Sequence, residues 1–498
     1  MPSPPPSPAP CIYITWNQAA NQANPQCSQL PVRTENSAHS EVSEVFELSK
    51  ANMSENQQQG LLGSSSSNTA ASRWKEMHGE RSWEGLLRPA LDVDLRRTVI
   101  WYGEMAQATY DAFNHERVSP NAGLSRFRRG RFFHGAMLPD HAGAYKVTRF
   151  LYATSSAPGH AAAFMVRGRG GHVSWRAAAG GHVSGGGCRE SNWIGYVAVA
   201  TEAGKAALGR RDIVVAWRGT VESLEWVDDL EFAMVAPRGI VKDGCEDALV
   251  HRGWLSMYTS THPASSHNKD SARDQVLGEV RRLVEMYKEE EVSITVTGHS
   301  LGAALATLNA FDIAENGYNT AIRAGAAPGP RATTFPVAVF AFASPRIGGA
   351  GFKKRFAAAA IASPLRVLRI RNARDIVPKY PALLYHDVGC ELTIDTGASP
   401  YLKAPGNERV WHNLESYLHG VAGVPASGAP SSGFELVVAR DVALVNKAYD
   451  ALREEHGVPA GWWVPQNKGM AKGDDGRWRL LDCDEEDEED DACCRHSE

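Results

Sequence analysis

The segment Val292-Ser-Ile-Thr-Val-Thr-Gly-His-Ser-Leu-Gly302 holds the residues most suited to covalent chemistry. A β-branched run leads into Gly298-His299-Ser300-Leu301-Gly302, and an Ala-rich stretch follows from Ala303 to Glu315. In a chain with 46 glycines the pattern G-x-S-x-G means little alone. Between a buried strand and a helix it describes a tight turn that forces its central residue into a strained backbone and exposes one hydroxyl above a helix N-terminus. Small residues on both sides let strand and helix approach. A phosphate-binding loop would instead need G-x-x-x-x-G-K-[ST], and no Lys follows here. Ser300 is therefore the expected nucleophile of an acyl-transfer reaction.

Such a nucleophile needs donors for the oxyanion, a base and an orienting acid. The backbone N–H of Leu301 is one expected donor. The second is assigned to Thr220, at the end of the apolar run Val214-Val-Ala-Trp-Arg-Gly-Thr220, where Gly219 is expected to let the backbone turn. In this type of site the acid and then the base follow the serine in the chain. Asp375 lies just past the strand-like run Leu365–Ile370, ahead of Ile376-Val-Pro378. Its rival, Asp395, falls in what reads as an edge hairpin. For the base, His386 follows Pro378 closely and reads as opening the next strand. His412 and His419 share Trp411-His-Asn-Leu-Glu-Ser-Tyr-Leu-His-Gly420. His412 reads as a loop residue entering a short helix, which suits a triad base. His419 reads as a helix-end residue whose charge suits the dipole. The residue pattern favours His412 and leaves His419 open.

The elements that must position these groups are strands alternating with helices. Strand character is expected at Tyr145–Tyr152, Trp193–Thr201, Asp212–Trp217, Val292–Thr297, Val337–Ala343 and Leu365–Ile370. Several are continuous apolar runs, as in strands covered on both faces. Helical periodicity runs through Trp83–Phe113 and Ser271–Glu290. The expected fold is α/β: an α/β-hydrolase with a mostly parallel central sheet and helices on both faces. Ala157–Gly187 and Ala324–Thr334 read as surface loops.

Residues 1–72 are rich in Pro, Ser, Asn and Gln and read as a disordered extension. Residues 73–465 form the expected catalytic domain, and 466–498, with the run Asp484–Asp491, an acidic disordered tail. Apolar residues make up 43% of the 498, charged residues 22%, and the net charge of −5 argues against a nucleic-acid partner. Eight cysteines, Cys11, Cys27, Cys188, Cys245, Cys390, Cys483, Cys493 and Cys494, are scattered without a C-x-x-C pair. That pattern argues against zinc and for a reducing compartment. There is no transmembrane-length apolar run, and the N-terminus lacks the features of a secretory signal. The expected location is the cytoplasm, with a plastid as the alternative.

Taken together, Val214-Val-Ala-Trp-Arg-Gly-Thr220, Thr297-Gly-His-Ser-Leu-Gly-Ala-Ala304, Phe342-Ala-Ser-Pro-Arg346 and Asp375-Ile-Val-Pro378 resemble the class 3 lipases. Further phrases narrow the resemblance to the plant cytosolic phospholipase A1 group. They include Gln107-Ala-Thr-Tyr-Asp-Ala-Phe-Asn114, Gly253-Trp-Leu-Ser-Met-Tyr258, Ser399-Pro-Tyr-Leu-Lys-Ala-Pro-Gly-Asn407 and His412-Asn-Leu-Glu-Ser-Tyr-Leu-His-Gly420. The resemblance spans Trp74 to Trp463. It implies the triad Ser300, Asp375 and His412 and hydrolysis of the sn-1 ester of phospholipids at a membrane or micelle surface, without a metal or cofactor. It also implies a lid after the oxyanion strand, with Leu224, Trp226 and Leu230 as its apolar residues. A galactolipase, triacylglycerol lipase or general carboxylesterase would use the same triad. A non-catalytic lipase-like module would be expected to lack one of its members.

Overall fold

The structure is a computed structural model, and it describes residues 71–88, 90–116, 118–154, 191–220, 233–241, 247–323, 331–425, 434–463, 470–472 and 478–480. The lid candidates Leu224, Trp226 and Leu230 lie outside the described residues, as do the extension 1–70, the insertion 157–187 and the acidic run 484–491.

A seven-stranded sheet organises the described part. Its strands are β1 (Tyr145–Ala153), β2 (Asn192–Ala200), β3 (Arg211–Trp217), β4 (Val292–His299), β5 (Val337–Phe342), β6 (Leu365–Asn372) and β7 (Cys390–Ile394), and they lie side by side in chain order. β1, β2 and β3 pair antiparallel. β3 through β7 pair parallel, in the registers Ala216↔Thr297, Gly298↔Ala341, Ile370↔Phe342 and Ile370↔Leu392. The six anticipated strands are all present, with ends within about two residues. β7 corrects one expectation: the segment holding Asp395 is not a hairpin but a parallel edge strand. Gly389 (φ 77) brings the chain against Val367, so that it enters β7 in the direction of β6.

Every residue of β2, β3, β4 and β5 is buried; this explains the apolar runs of β2 and β5, while the buried Ser293 and Thr295 of β4 donate to Asp212 of β3. Alternate residues feed opposite cores: Ile213, Val215 and Trp217 one, Val214 and Ala216 the other. The first core is covered by α2 (Arg252–Thr259), α3 (Ala272–Met286), α4 (Leu301–Glu315) and α5 (Ala350–Ala362). The second is covered by α1 (Val93–Asp111) and by α7 (Leu414–Ala422), which follows the one-turn helix α6 (Glu408–His412).

The helix starts follow local chemistry. Asp92 accepts from the N–H groups of Asp94 and Leu95, so α1 begins ten residues after Trp83, where the apolar periodicity begins. Ser271 caps α3 in the same way through Asp274. The expected loop Ala324–Thr334 is in part a strand. Arg331–Thr334 pairs antiparallel with Thr320–Arg323, and Thr333 and Thr334 are β-branched residues that favour it. Within the stretch anticipated as an acidic tail, Met470–Lys472 and Trp478–Leu480 form a further antiparallel pair.

Candidate active site

The turn between β4 and α4 is as tight as its sequence requires. Ser300 has φ 58 and ψ −127, a left-handed φ that is costly for a residue with a Cβ. Its N–H is held by the carbonyl of Phe342 at the end of β5, at 2.9 Å. A Cβ on Gly298 would lie 2.4 Å from the Gly302 carbonyl oxygen, and one on Gly302 would lie 2.3 Å from that of Trp217. Both glycines are thus demanded by close backbone approach. Leu301 opens α4, so its N–H belongs to the first turn, whose donors lack intrahelical acceptors.

Three residues distant in sequence meet here. Ser300 Oγ lies 2.9 Å from His412 Nε2. His412 Nδ1 lies 2.7 Å from Asp375 Oδ2. A carboxylate only accepts, so Nδ1–H donates to Asp375, and Nε2 is left to accept from the serine hydroxyl. All three are buried, Ser300 at 1% exposure. Asp375 is oriented by two more donors, the Val377 N–H at 2.9 Å and the Tyr417 hydroxyl at 2.6 Å. Burial and the adjacent carboxylate raise the Tyr417 phenol well above its ordinary value, which keeps it a donor.

The rival residues lie elsewhere. Asp395 caps the turn after β7 through the Gly397 N–H and pairs with Arg374 at 3.1 Å. His386 bridges to Gly348 outside the named strands. His419 does lie in the last turn of α7, as expected, but it is not a surface charge facing the dipole. It is buried inside α7, bonds Ser399 Oγ at 2.7 Å and stacks on Phe434, and desolvation lowers it to about 4. His412 ends α6 rather than entering a helix from a loop, because Asn413 breaks the helix (φ −68, ψ 127) and caps α7.

Several supporting groups carry no signature of their own in the sequence. The histidine beside the nucleophile, His299, donates from Nε2 to the backbone carbonyl of His412 at 2.8 Å. That fixes its tautomer, so Nδ1 accepts from the Tyr110 hydroxyl at 2.7 Å. Burial and the neighbouring His412 hold His299 well below its usual pKa and hence neutral. Tyr110 also explains Gly219. The φ of this glycine is not left-handed, but a Cβ there would meet the Tyr110 hydroxyl at 2.1 Å and the His299 carbonyl oxygen at 2.6 Å. Close approach, not turning, requires it, and the end of β3 that bears Thr220 therefore lies against the Ser300 turn. Arg218 pins this end: Nε donates to the Trp193 carbonyl at 3.1 Å and Nη1 to the Gly219 carbonyl at 2.8 Å. Desolvation lowers Arg218 to about 10.

Asn372 joins the ends of β6 and β7 to the segment that bears His412. Its Nδ2 donates to Thr396 Oγ1 at 2.8 Å and to the Trp411 carbonyl at 2.9 Å. Behind His412, Glu415 of α7 is paired with Arg440 at 2.6 Å and Lys447 at 3.5 Å. These cations also reach Glu104 at 3.3 Å and Asp111 at 2.9 Å on α1. Among the described residues, no group of three or more His, Cys, Asp or Glu side chains is arranged to hold a metal ion, and no helix is long and apolar enough to cross a membrane.

This geometry can be set beside known proteins. Residues 214–385 match the family model described as Lipase (class 3). The chain is 64% identical over 419 residues to Phospholipase A1-II 6 of Oryza sativa subsp. japonica, covering 84% of this chain and 97% of that protein. The chain belongs to the phospholipase A1-II group of class 3 lipases. It is also 53% identical over 415 residues to Phospholipase A1-II 4 of the same rice, covering 83% of this chain and 95% of the relative. Among solved structures, Lip2 lipase from Yarrowia lipolytica is 20% identical, with a TM-score of 0.38, over 61% of this chain and 80% of that one. In the present chain the family match contains Thr220, Ser300, Leu301 and Asp375 but stops before His412.

Proposed function

We propose that the protein hydrolyses the sn-1 acyl ester of phospholipids, with Ser300 as nucleophile, His412 as base, Asp375 as orienting acid, and the Thr220 and Leu301 N–H groups as the oxyanion hole. The observation that carries this reading is the hydrogen-bonded chain Ser300–His412–Asp375, built on a strained turn in a chain 64% identical to a phospholipase A1-II.

His412 Nε2 takes the serine proton as Oγ bonds to the acyl carbon. The carbonyl π pair moves onto oxygen and is stabilised by the two backbone donors. As the tetrahedral centre collapses, the C–O bond to the glycerol breaks, and the imidazolium gives its proton to the departing lysophospholipid oxygen. Water then attacks the acyl-enzyme, again losing a proton to His412, and Oγ leaves with that proton to free the fatty acid. Asp375 keeps Nδ1 protonated throughout and stabilises the charged ring. With Ser300 almost fully buried, substrate reaches it only after something covering the site moves aside.

The cysteine pattern supports a cytoplasmic setting. A single catalytic unit, 73–465, between the extensions 1–72 and 466–498 belongs to the same reading. The test is hydrolysis of a phospholipid with different acyl chains at sn-1 and sn-2, by the wild type and by Ser300→Ala. The expected result is release of the sn-1 chain by the wild type alone. Ser300-dependent cleavage of galactolipid, triacylglycerol or simple esters but not phospholipid would retain the triad and replace the substrate. An active Ser300→Ala would end the assignment.

A further inference from the structure

Beyond Asp375 the chain runs through Lys379-Tyr-Pro-Ala-Leu-Leu384 before turning toward β7. Leu383 is 81% exposed and Leu384 77%. A lone exposed leucine is ordinary, but this pair differs in its backbone, its scaffold, its place in the fold and its charge. Leu384 has φ 64, a left-handed conformation that glycine or asparagine adopts more readily than a residue with a branched apolar side chain. The fold thus accepts strain in order to show water a side chain that avoids water.

The loop is fastened on both sides of the leucines. The Arg346 N–H donates to the Tyr380 carbonyl at 2.8 Å, and its guanidinium donates to the carbonyls of Lys379 at 3.0 Å and Pro381 at 3.2 Å. The His386 N–H donates to the Gly348 carbonyl at 2.9 Å. The leucines are therefore presented by a built support. They also stand at the catalytic end of the sheet. The loop leaves the carboxyl end of β6 and is fastened to the segment leaving the carboxyl end of β5, and Ser300 follows the carboxyl end of β4. The segment 379–384 carries the exposed Lys379 and no carboxylate.

We propose that Leu383 and Leu384 form a prong that seats the catalytic end of the protein on a phospholipid surface, with Lys379 facing the headgroup phosphates. This rests on the phospholipid reading given above. Ile361 supplies an internal contrast. It is 89% exposed, but it lies in the last turn of α5, which returns the chain to the amino end of β6, opposite the active site.

Binding is read by co-sedimentation of the full chain, carrying Ser300→Ala so that lipid is not consumed, with phosphatidylcholine vesicles containing about 30% phosphatidylglycerol. Leu383→Ser combined with Leu384→Asn is expected to lower the partition coefficient about 100-fold, about tenfold per leucine withdrawn from hydrocarbon. Ile361→Ser is expected to leave it unchanged. Asn suits the left-handed backbone, so the double variant should melt no lower than its parent. In the active chain, the double variant keeps its rate on a soluble butyrate ester and loses turnover of vesicles. Vesicle binding unaffected by the double variant, an equal loss from Ile361→Ser, or no binding by the parent each overturns the prong. A parent that binds through the leucines but releases no fatty acid from phospholipid upholds the prong and defeats the substrate reading. Release that ignores the leucines does the reverse.

Discussion

Arg218 is expected to control the rate without touching substrate. It is 1% exposed, its guanidinium lies 3.7 Å from the centroid of Phe113, and among the described residues its Nη2 has no hydrogen-bond partner. Its Nη1 holds the Gly219 carbonyl at 2.8 Å. In a trans peptide the C=O and the following N–H point in opposite directions, so pinning that carbonyl aims the Thr220 N–H away from the guanidinium. Replacing Arg218 by Lys keeps the charge but loses the planar fork that spans Trp193 and Gly219. Losing one oxyanion donor costs about 10²–10³ in kcat. A lysine retains part of the aim, so the lower end is expected: a fall of about 100-fold, or about 2.7 kcal/mol of transition-state stabilisation. The contact forms only as the oxyanion develops, so kcat and kcat/KM should fall together while KM holds. Steady-state kinetics on a soluble ester, with a melting curve to certify the fold, provide the readout. A folded Arg218→Lys variant with wild-type kcat would refute the reasoning.

Asp375→Asn should preserve the fold and lower kcat by about 10³–10⁴, since Asn holds His412 in the wrong tautomer. Asp395→Asn should retain full activity, and a reversal of the two in the same ester assay would exchange their roles. Gly302→Ala forces a Cβ to within 2.3 Å of the Trp217 carbonyl oxygen and should cost about 1–3 kcal/mol. Gly278→Ala, exposed in the middle of α3 with nothing within 4 Å, should add about 0.5–1 kcal/mol. Denaturation midpoints that failed to separate these two variants would contradict the packing described. His141 is buried on Trp101 and lowered to about 4 by desolvation, so the unfolded chain takes up a proton that the native one refuses. Its contribution is fully present above pH ~6.5 and is lost toward pH ~4, at up to about 1.4 kcal/mol per pH unit. His141→Phe should therefore flatten the pH dependence of unfolding by about one proton over that window, and an unaltered slope would count against a neutral His141.

The sheet and the strained turn at Ser300 were the most legible parts of the sequence because each rests on local pattern. A strand buried on both faces is rich in apolar and β-branched residues, and a turn as tight as that at Ser300 needs glycine two residues to either side. Asp375 stood out by position as the proposed acid, since it follows a strand end. Its rival also follows one, and what separates them is a partner across the fold: His412 for one, Arg374 for the other. His412 and His419 lie seven residues apart, and only the tertiary setting turns one toward Ser300 and the other toward Ser399. Tyr417, Tyr110 and Asn372 were invisible for the same reason. A tyrosine on an apolar helix face looks like core until its hydroxyl is seen on a carboxylate. The edge strand β7 was misread because short alternating segments fit either a hairpin or a parallel edge, and nothing local records which neighbour a strand will take.

The bond from His299 to the His412 carbonyl also bears on how the enzyme responds to heat. Ser300 and His412 lie 112 residues apart, yet the residue next to Ser300 grips the main chain of His412 directly. Thermal expansion of the sheet then moves both partners together instead of drawing them apart. Activity should accordingly climb with temperature up to the melting transition and vanish with it, without an earlier phase in which a folded protein has lost its alignment.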